Sequence, residues 1–276
     1  MRTIRLFALL LLVLLFLFGC RPAAERQFSV VFFDVGQGNA TLLQTPAGDV
    51  LVDCGPERAQ ETLCRKLKSR GVETLKFLIL THPDEDHIGG ADLVLEQFSV
   101  EAILYNGAAE ESESFSRFLS AASQTGLSIT ALDQYDEAIL GDLKLTVLHP
   151  EDRANPPTGN KGSLVFRADY GALSLLFTGD ADESVEKALL NSKSDLLPAT
   201  VLQVGHHGAA TSSGAEFLRA VSPQIAVISC GAGNAFGHPD GRTLARLEAA
   251  GAEIYRTDLN GDVVLVWNGE TLAKQD

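Results

Sequence analysis

The chain has 276 residues, a formal charge of −14 and a mean hydropathy of +0.09, which is length enough for one large domain or two small ones. The balance of 36 Asp and Glu against 22 Lys and Arg excludes a broadly basic nucleic-acid-binding surface. Four cysteines with no CxxC spacing exclude a disulfide framework and a zinc knuckle, although Cys54 and Cys64 could pair.

Met1 to Gly19 reads as a targeting segment, with Arg2 and Arg5 as the positive region and Leu6 to Phe18 as an unbroken apolar run. That run is short for a membrane span. Its end, Leu17-Phe18-Gly19-Cys20, resembles the bacterial lipobox, so Cys20 is the expected lipidated residue, with simple secretion or an uncleaved anchor as the alternatives. The expected organisation is a signal peptide over 1–19, a tether over 20–27 and one domain over 28–270. The expected location is outside the cytoplasm, on the membrane.

Phe28 to Phe33, Ala40 to Thr45 and Val50 to Asp53 read as a β-meander, with Gly36 and Gly38 in the first turn. Arg58 to Ser69 is a helix with Ala59, Leu63 and Leu67 on one face and Gly71 as the stop. Leu75 to Leu80 is a buried strand, and a helix is expected over Asp86 to Phe98. Further along, Glu101 to Tyr105 is a strand, Ser114 to Thr125 an amphipathic helix and Leu143 to Leu148 a strand. Asp152 to Gly162 is a loop, and Ser163 to Ala168 with Leu173 to Phe177 form a hairpin. Helices at Glu183 to Asn191, Ala215 to Val221 and Arg242 to Ala250 then alternate with strands at Thr200 to Val204, Gln224 to Ser229, Glu253 to Thr257 and Asp262 to Trp267. Strand-rich meanders interleaved with helices predict an α/β sandwich of two sheets with helices outside. Each half, roughly 28–150 and 160–270, is expected to supply one sheet.

Between the strand ending at Leu80 and the next helix stands Thr81-His82-Pro83-Asp84-Glu85-Asp86-His87. This packs two imidazoles and three carboxylates into six residues. Such a loop repels itself unless a cation sits among the carboxylates, and imidazole with carboxylate is the ligand chemistry of Zn²⁺, Mn²⁺ and similar ions. The remaining histidines, His149, His206, His207 and His238, also fall at strand ends or in loops, as do Asp53 and Asp180. Loops gathered at one edge of a rigid scaffold are where catalytic groups concentrate. For His149, followed by Pro150, ending a strand is the simpler role.

The ordered set Asp53, His82-x-Asp84-x-Asp86-His87, Gly179-Asp180 and His206-His207-Gly208 resembles the metallo-β-lactamase superfamily. More narrowly, Asp34-Val35-Gly36-Gln37-Gly38, Asn160-x-x-Ser163, Val204-Gly205-His206-His207-Gly208 and Asn234-x-x-Gly237-His238-Pro239 resemble the extracytoplasmic hydrolase domain of ComEC-type DNA-uptake competence proteins. The resemblance implies an αββα four-layer sandwich with one or two divalent ions, Zn or Mn, at the sheet edge. It implies that His82 binds a first metal, Asp86 and His87 a second, and that Asp180 bridges them. Asp84 is a further candidate ligand, standing where the superfamily usually has His and favouring a harder ion such as Mn²⁺. His206 or His207 supplies the last imidazole, with His206 slightly preferred. Asp53 would orient a ligand histidine, Asp86 with His82 would carry catalysis, and Asn160, Ser163 and His238 would meet substrate. The expected activity is a metal-dependent phosphodiesterase or nuclease acting on DNA. The alternatives are hydrolysis of a small phosphoester or other ester, or a non-catalytic surface protein with a degraded site.

Overall fold

The computed structural model describes residues 27–275. The signal segment, the lipidation site expected at Cys20 and nearly all of the tether lie outside the described residues. Among the described residues, no helix is long and apolar enough to cross a membrane.

Two sheets form the centre. In spatial order the first holds Leu272–Gln275, Val263–Trp267, Phe28–Phe32, Thr41–Thr45, Gly48–Val52, Thr74–Leu80, Ser99–Tyr105 and Ile129–Ala131. The second holds Glu253–Arg256, Ile225–Ile228, Val201–Gln203, Leu173–Phe177, Val165–Tyr170, Leu143–His149 and Glu137–Leu140. Alternation along the strands sends one set of side chains to the neighbouring sheet and the other to covering helices. Phe28, Phe32, Val50, Leu145, Phe166, Phe177 and Leu265 fill the space between sheets, where Phe166 stacks on Phe177 at 4.7 Å between ring centroids. Each such side chain contributes about 1.5–3 kcal/mol by leaving water. The opposite face of the first sheet packs on the helices Gln60–Ser69, Ala91–Gln97 and Glu113–Thr125 through Leu63, Leu67, Val94 and Phe118. That of the second packs on Glu183–Lys193, Ala215–Val221 and Gly241–Ala249 through Val185, Leu189, Phe217 and Leu247. The result is the expected αββα layering. Cys54, Cys64 and Cys230 are free and buried.

The sheets do not divide the chain into halves as expected. Glu137–Leu140 and Leu143–His149 join the second sheet, because Leu143–His149 pairs antiparallel with Val165–Tyr170. The last two strands return to the first sheet, where Phe28 lies opposite Trp267 and Phe32 opposite Val263. The domain also runs past residue 270, since Leu272–Gln275 pairs with Val263–Trp267. Nor is Asp86 to Phe98 one helix: Glu85–Ile88 and Ala91–Gln97 are separated at Gly89-Gly90. The loop after Asp53 passes so close there that a Cβ on Gly89 would lie 2.3 Å from the Glu57 nitrogen.

Parallel pairing sets the functional edge. Gly48–Val52, Thr74–Leu80 and Ser99–Tyr105 run parallel in one sheet, and Leu173–Phe177, Val201–Gln203 and Ile225–Ile228 in the other. Their C-terminal ends therefore open on one side of each sheet. The Leu164 amide donates to the Thr81 carbonyl at 2.8 Å and joins the two edges. Asp53, His82, Asp180 and His207 all follow these strand ends.

Candidate metal centre

Among the described residues, four buried side-chain atoms that converge at this edge have no hydrogen-bond partner: Nε2 of His82, His87 and His207, and Oδ1 of Asp180. They face one another. Asp180 Oδ1 lies 3.2 Å from His87 Nε2, and Asp180 Oδ2 lies 3.5 Å from His207 Nε2 and 4.0 Å from His82 Nε2. Asp86 Oδ2 approaches His207 Nε2 at 3.0 Å. Two groupings have metal-ligand spacing, His82–His87–Asp180 and Asp86–His87–His207.

The far side of each ring fixes its tautomer. Asp53 is buried, and its Oδ1 accepts from the Thr81 amide at 2.8 Å. Asp53 Oδ2 accepts from the Thr81 hydroxyl at 2.9 Å and from His87 Nδ1 at 2.7 Å. Because the Thr81 hydrogen goes to Asp53, its oxygen is left to accept from His82 Nδ1 at 3.1 Å. One carboxylate thus orients His87 directly and His82 through Thr81. His207 Nδ1 donates to the Ser229 carbonyl at 2.8 Å.

All three Nε2 atoms of neutral rings then present lone pairs toward carboxylates. Electron-rich atoms at such distances need a proton or a cation between them. Burial opposes charge on His87, yet the adjacent Asp180 and Asp53 carboxylates push its proton affinity well above the usual imidazole range. His207 is likewise raised against burial by Asp180 and Asp86. Burial works to raise the Asp86 carboxyl, and the His207 and His87 rings overcome it and hold it at about 2. The buried Asp180 is held well below the carboxylate range by His207 and His87. This donor set fits a divalent cation, which binds deprotonated imidazole and carboxylate and displaces those protons.

Backbone contacts hold the set in place. The Asp180 amide donates to Ser163 Oγ at 2.9 Å, and Gln203 Oε1 accepts from the Thr178 and Gly179 amides at 3.0 Å. Ser163 is fully buried, so it positions Asp180 rather than presenting a surface to substrate. The Asn39 amide donates to the Asp86 carbonyl at 3.0 Å, and the adjoining Gly38 has φ +145°. A Cβ on Gly38 would sit 2.4 Å from that carbonyl oxygen. Gly38→Ala is expected to cost at least about 1 kcal/mol and to weaken metal binding. An unchanged urea midpoint would refute that expectation.

His207, not the slightly preferred His206, enters the cluster. The two rings diverge because both residues adopt positive φ, 49° and 52°. The His206 side chain is 26% exposed, 3.7 Å from Asp180 Oδ2 and 3.2 Å from Asn160 Nδ2. Asp84 occupies the position preceding Glu85–Ile88 without capping that helix. Its side chain is 39% exposed, with Oδ2 3.6 Å from His82 Nε2. His238 packs edge-on against His206 at 5.4 Å between centroids. His149 Nε2 instead donates to the Lys161 carbonyl at 2.8 Å and stays out of the cluster, fastening the Gly159–Gly162 turn that carries Asn160. Thr81 and Ser229 were not singled out from the sequence; only the position of Thr81 directly before His82 hinted at a role.

The sequence profile of the metallo-beta-lactamase superfamily matches residues 33–232. ComE operon protein 3 of Bacillus subtilis is 32% identical over 90% of this chain and 34% of its own length. Competence protein ComA of Neisseria gonorrhoeae is 35% identical over 87% of this chain and 33% of its own length. The chain therefore spans about a third of these relatives. Among solved structures, the metallo-beta-lactamase fold protein YhfI of Bacillus subtilis superposes with a TM-score of 0.60 at 14% identity, covering 88% of this chain and all of that one. Fold, edge site and profile agree: the chain belongs to the metallo-β-lactamase superfamily and is related to competence proteins.

Proposed function

We propose that the protein is a metal-dependent phosphodiesterase that acts on DNA outside the cytoplasm. The observation that carries the metal-dependent part is the convergence of four partnerless buried atoms on His82, His87, His207 and Asp180. These residues, with Asp86, would hold one or two divalent ions. The bound metal would lower the pKa of a coordinated water toward neutrality and polarise the phosphoryl oxygen. Asp53 and Thr81 keep His82 and His87 in the tautomer that offers Nε2. Asp84, whose Oδ2 lies 3.6 Å from His82 Nε2, would offer a further carboxylate ligand at the mouth of the site. Asn160, His206 and His238 form the wall open to substrate and supply hydrogen-bond donors suited to phosphate oxygens. The choice of a phosphodiester, and of DNA, rests on the sequence-motif resemblance to the hydrolase domain of DNA-uptake competence proteins. Lipid anchoring through Cys20 rests on the Met1 to Cys20 pattern.

The test is turnover of a chromogenic phosphodiester and of linear DNA with Mn²⁺ or Zn²⁺, with and without chelator. Chelation is expected to abolish both activities, and added metal to restore them. Turnover that survives chelation would sink the metal mechanism. Cleavage of the chromogenic ester without cleavage of DNA would leave the hydrolase and remove its substrate.

A further inference from the structure

Phe236 is 70% exposed and stands at the rim of the metal centre. Its ring stacks on His238 at 5.7 Å and 25°, and His238 stacks on the buried His207 at 6.4 Å and 26°. Three near-parallel rings thus lead from solvent to a residue that faces Asp86 and Asp180. The loop is built to hold that geometry. Asn234 Oδ1 accepts from the Phe236 amide at 3.2 Å and the His238 amide at 3.0 Å, while Asn234 Nδ2 donates to the Gly231 carbonyl at 2.9 Å and to the His238 carbonyl. The flanking Ala235 and Gly237 are exposed and too small to screen the ring. A large apolar side chain fixed in water at a site mouth loses hydration free energy unless something flat covers it.

We propose that Phe236 is a stacking platform for a nucleobase of single-stranded DNA, positioning the adjoining phosphodiester at the metal centre. This inference rests on the phosphodiesterase reading above. A net charge of −14 gives no general attraction for phosphates, so base stacking is assigned more of the sequence-independent affinity. Stacking also selects the strand state: a paired base offers no free π-face, whereas an unpaired one does. The expected occupant is therefore a single strand or a frayed end, read without sequence preference.

The experiment measures binding of fluorescent oligo(dT) to the full chain by anisotropy, read before cleavage sets in, with and without Mn²⁺. Phe236→Ala is expected to weaken binding about tenfold or more, and Phe236→Trp to retain it. An abasic strand of the same length should bind wild type and Phe236→Ala alike, which a merely structural role for the ring would not produce. Equal affinity of wild type and Phe236→Ala for oligo(dT), or equal weakening on the abasic strand, overturns the platform. Wild-type turnover of the chromogenic diester separates the two claims. Turnover without oligonucleotide binding overturns the platform and leaves the hydrolase standing; ring-dependent binding without turnover of any diester does the reverse.

Discussion

Asp180→Ala is expected to lower turnover by more than about 100-fold and to strip the protein of bound metal. Asp180 reaches more of the cluster than any other side chain described: Oδ1 lies 3.2 Å from His87 Nε2, and Oδ2 lies 3.5 and 4.0 Å from Nε2 of His207 and His82. Losing a group that merely orients a ligand costs about 10–100-fold in affinity or activity. Losing the carboxylate that faces the whole set should cost more. Without Asp180, His87 and His207 would also lose the largest of the charges that oppose the effect of burial, keeping only Asp53 and Asp86 respectively. Asp180→Asn separates charge from shape: it keeps the side-chain volume and should lose metal nearly as completely. The measurements are elemental analysis after loading with Mn²⁺ or Zn²⁺, turnover, and circular dichroism to establish folding. A folded Asp180→Ala protein with normal metal content would end the assignment.

The parts of this site that were legible in the sequence share one property: they are local. His82, Asp86 and His87 lie within one turn after an apolar run, and Asp180 follows Phe177-Thr178-Gly179 at the end of another. Strand termini are set by composition and turn chemistry, so such residues fall at a sheet edge whatever the pairing. What required coordinates was non-local or stereochemical. The transfer of Leu143–His149 to the second sheet depends on pairing with Val165–Tyr170 across a long loop, which no periodicity encodes. The choice of His207 over His206 turns on two consecutive residues at positive φ, where neighbouring rings diverge by backbone geometry alone. Ser163 read as a contact for substrate because its motif said only that it was near; its burial and its bond to the Asp180 amide show a positioning role. Thr81 carries no ligand group of its own, so only coordinates reveal that its hydroxyl links Asp53 to His82.

Asp53→Asn should weaken metal binding by about 10–100-fold although residue 53 need touch no metal. The Asp53 carboxylate takes three donors: the Thr81 amide, the Thr81 hydroxyl and His87 Nδ1. An asparagine offers one oxygen and an NH₂ group, so whichever way the amide turns, at least one of those donors meets another donor. If the oxygen stays with the Thr81 amide, the NH₂ faces both the hydroxyl and His87. The hydroxyl can then no longer serve as a relay to Asp53, and His82 and His87 lose their shared anchor together. Each buried donor left unpaired costs about 1–3 kcal/mol, so stability should fall as well. Asparagine is the informative substitution because position 53 has φ 58°, a region Asn tolerates and Ala does not. Thr81→Val cuts the same network elsewhere: it removes the hydroxyl, retains the β-branch and the amide, and leaves the His87–Asp53 bond intact. If Asp53 acts through both rings, Asp53→Asn must weaken metal binding more than Thr81→Val in competition with a chromophoric chelator. If the two variants lose affinity equally, His87 does not depend on Asp53 and the carboxylate serves His82 alone. If neither loses any, the hydrogen bonds behind the rings do not tune the site, and the four partnerless atoms hold their geometry by packing.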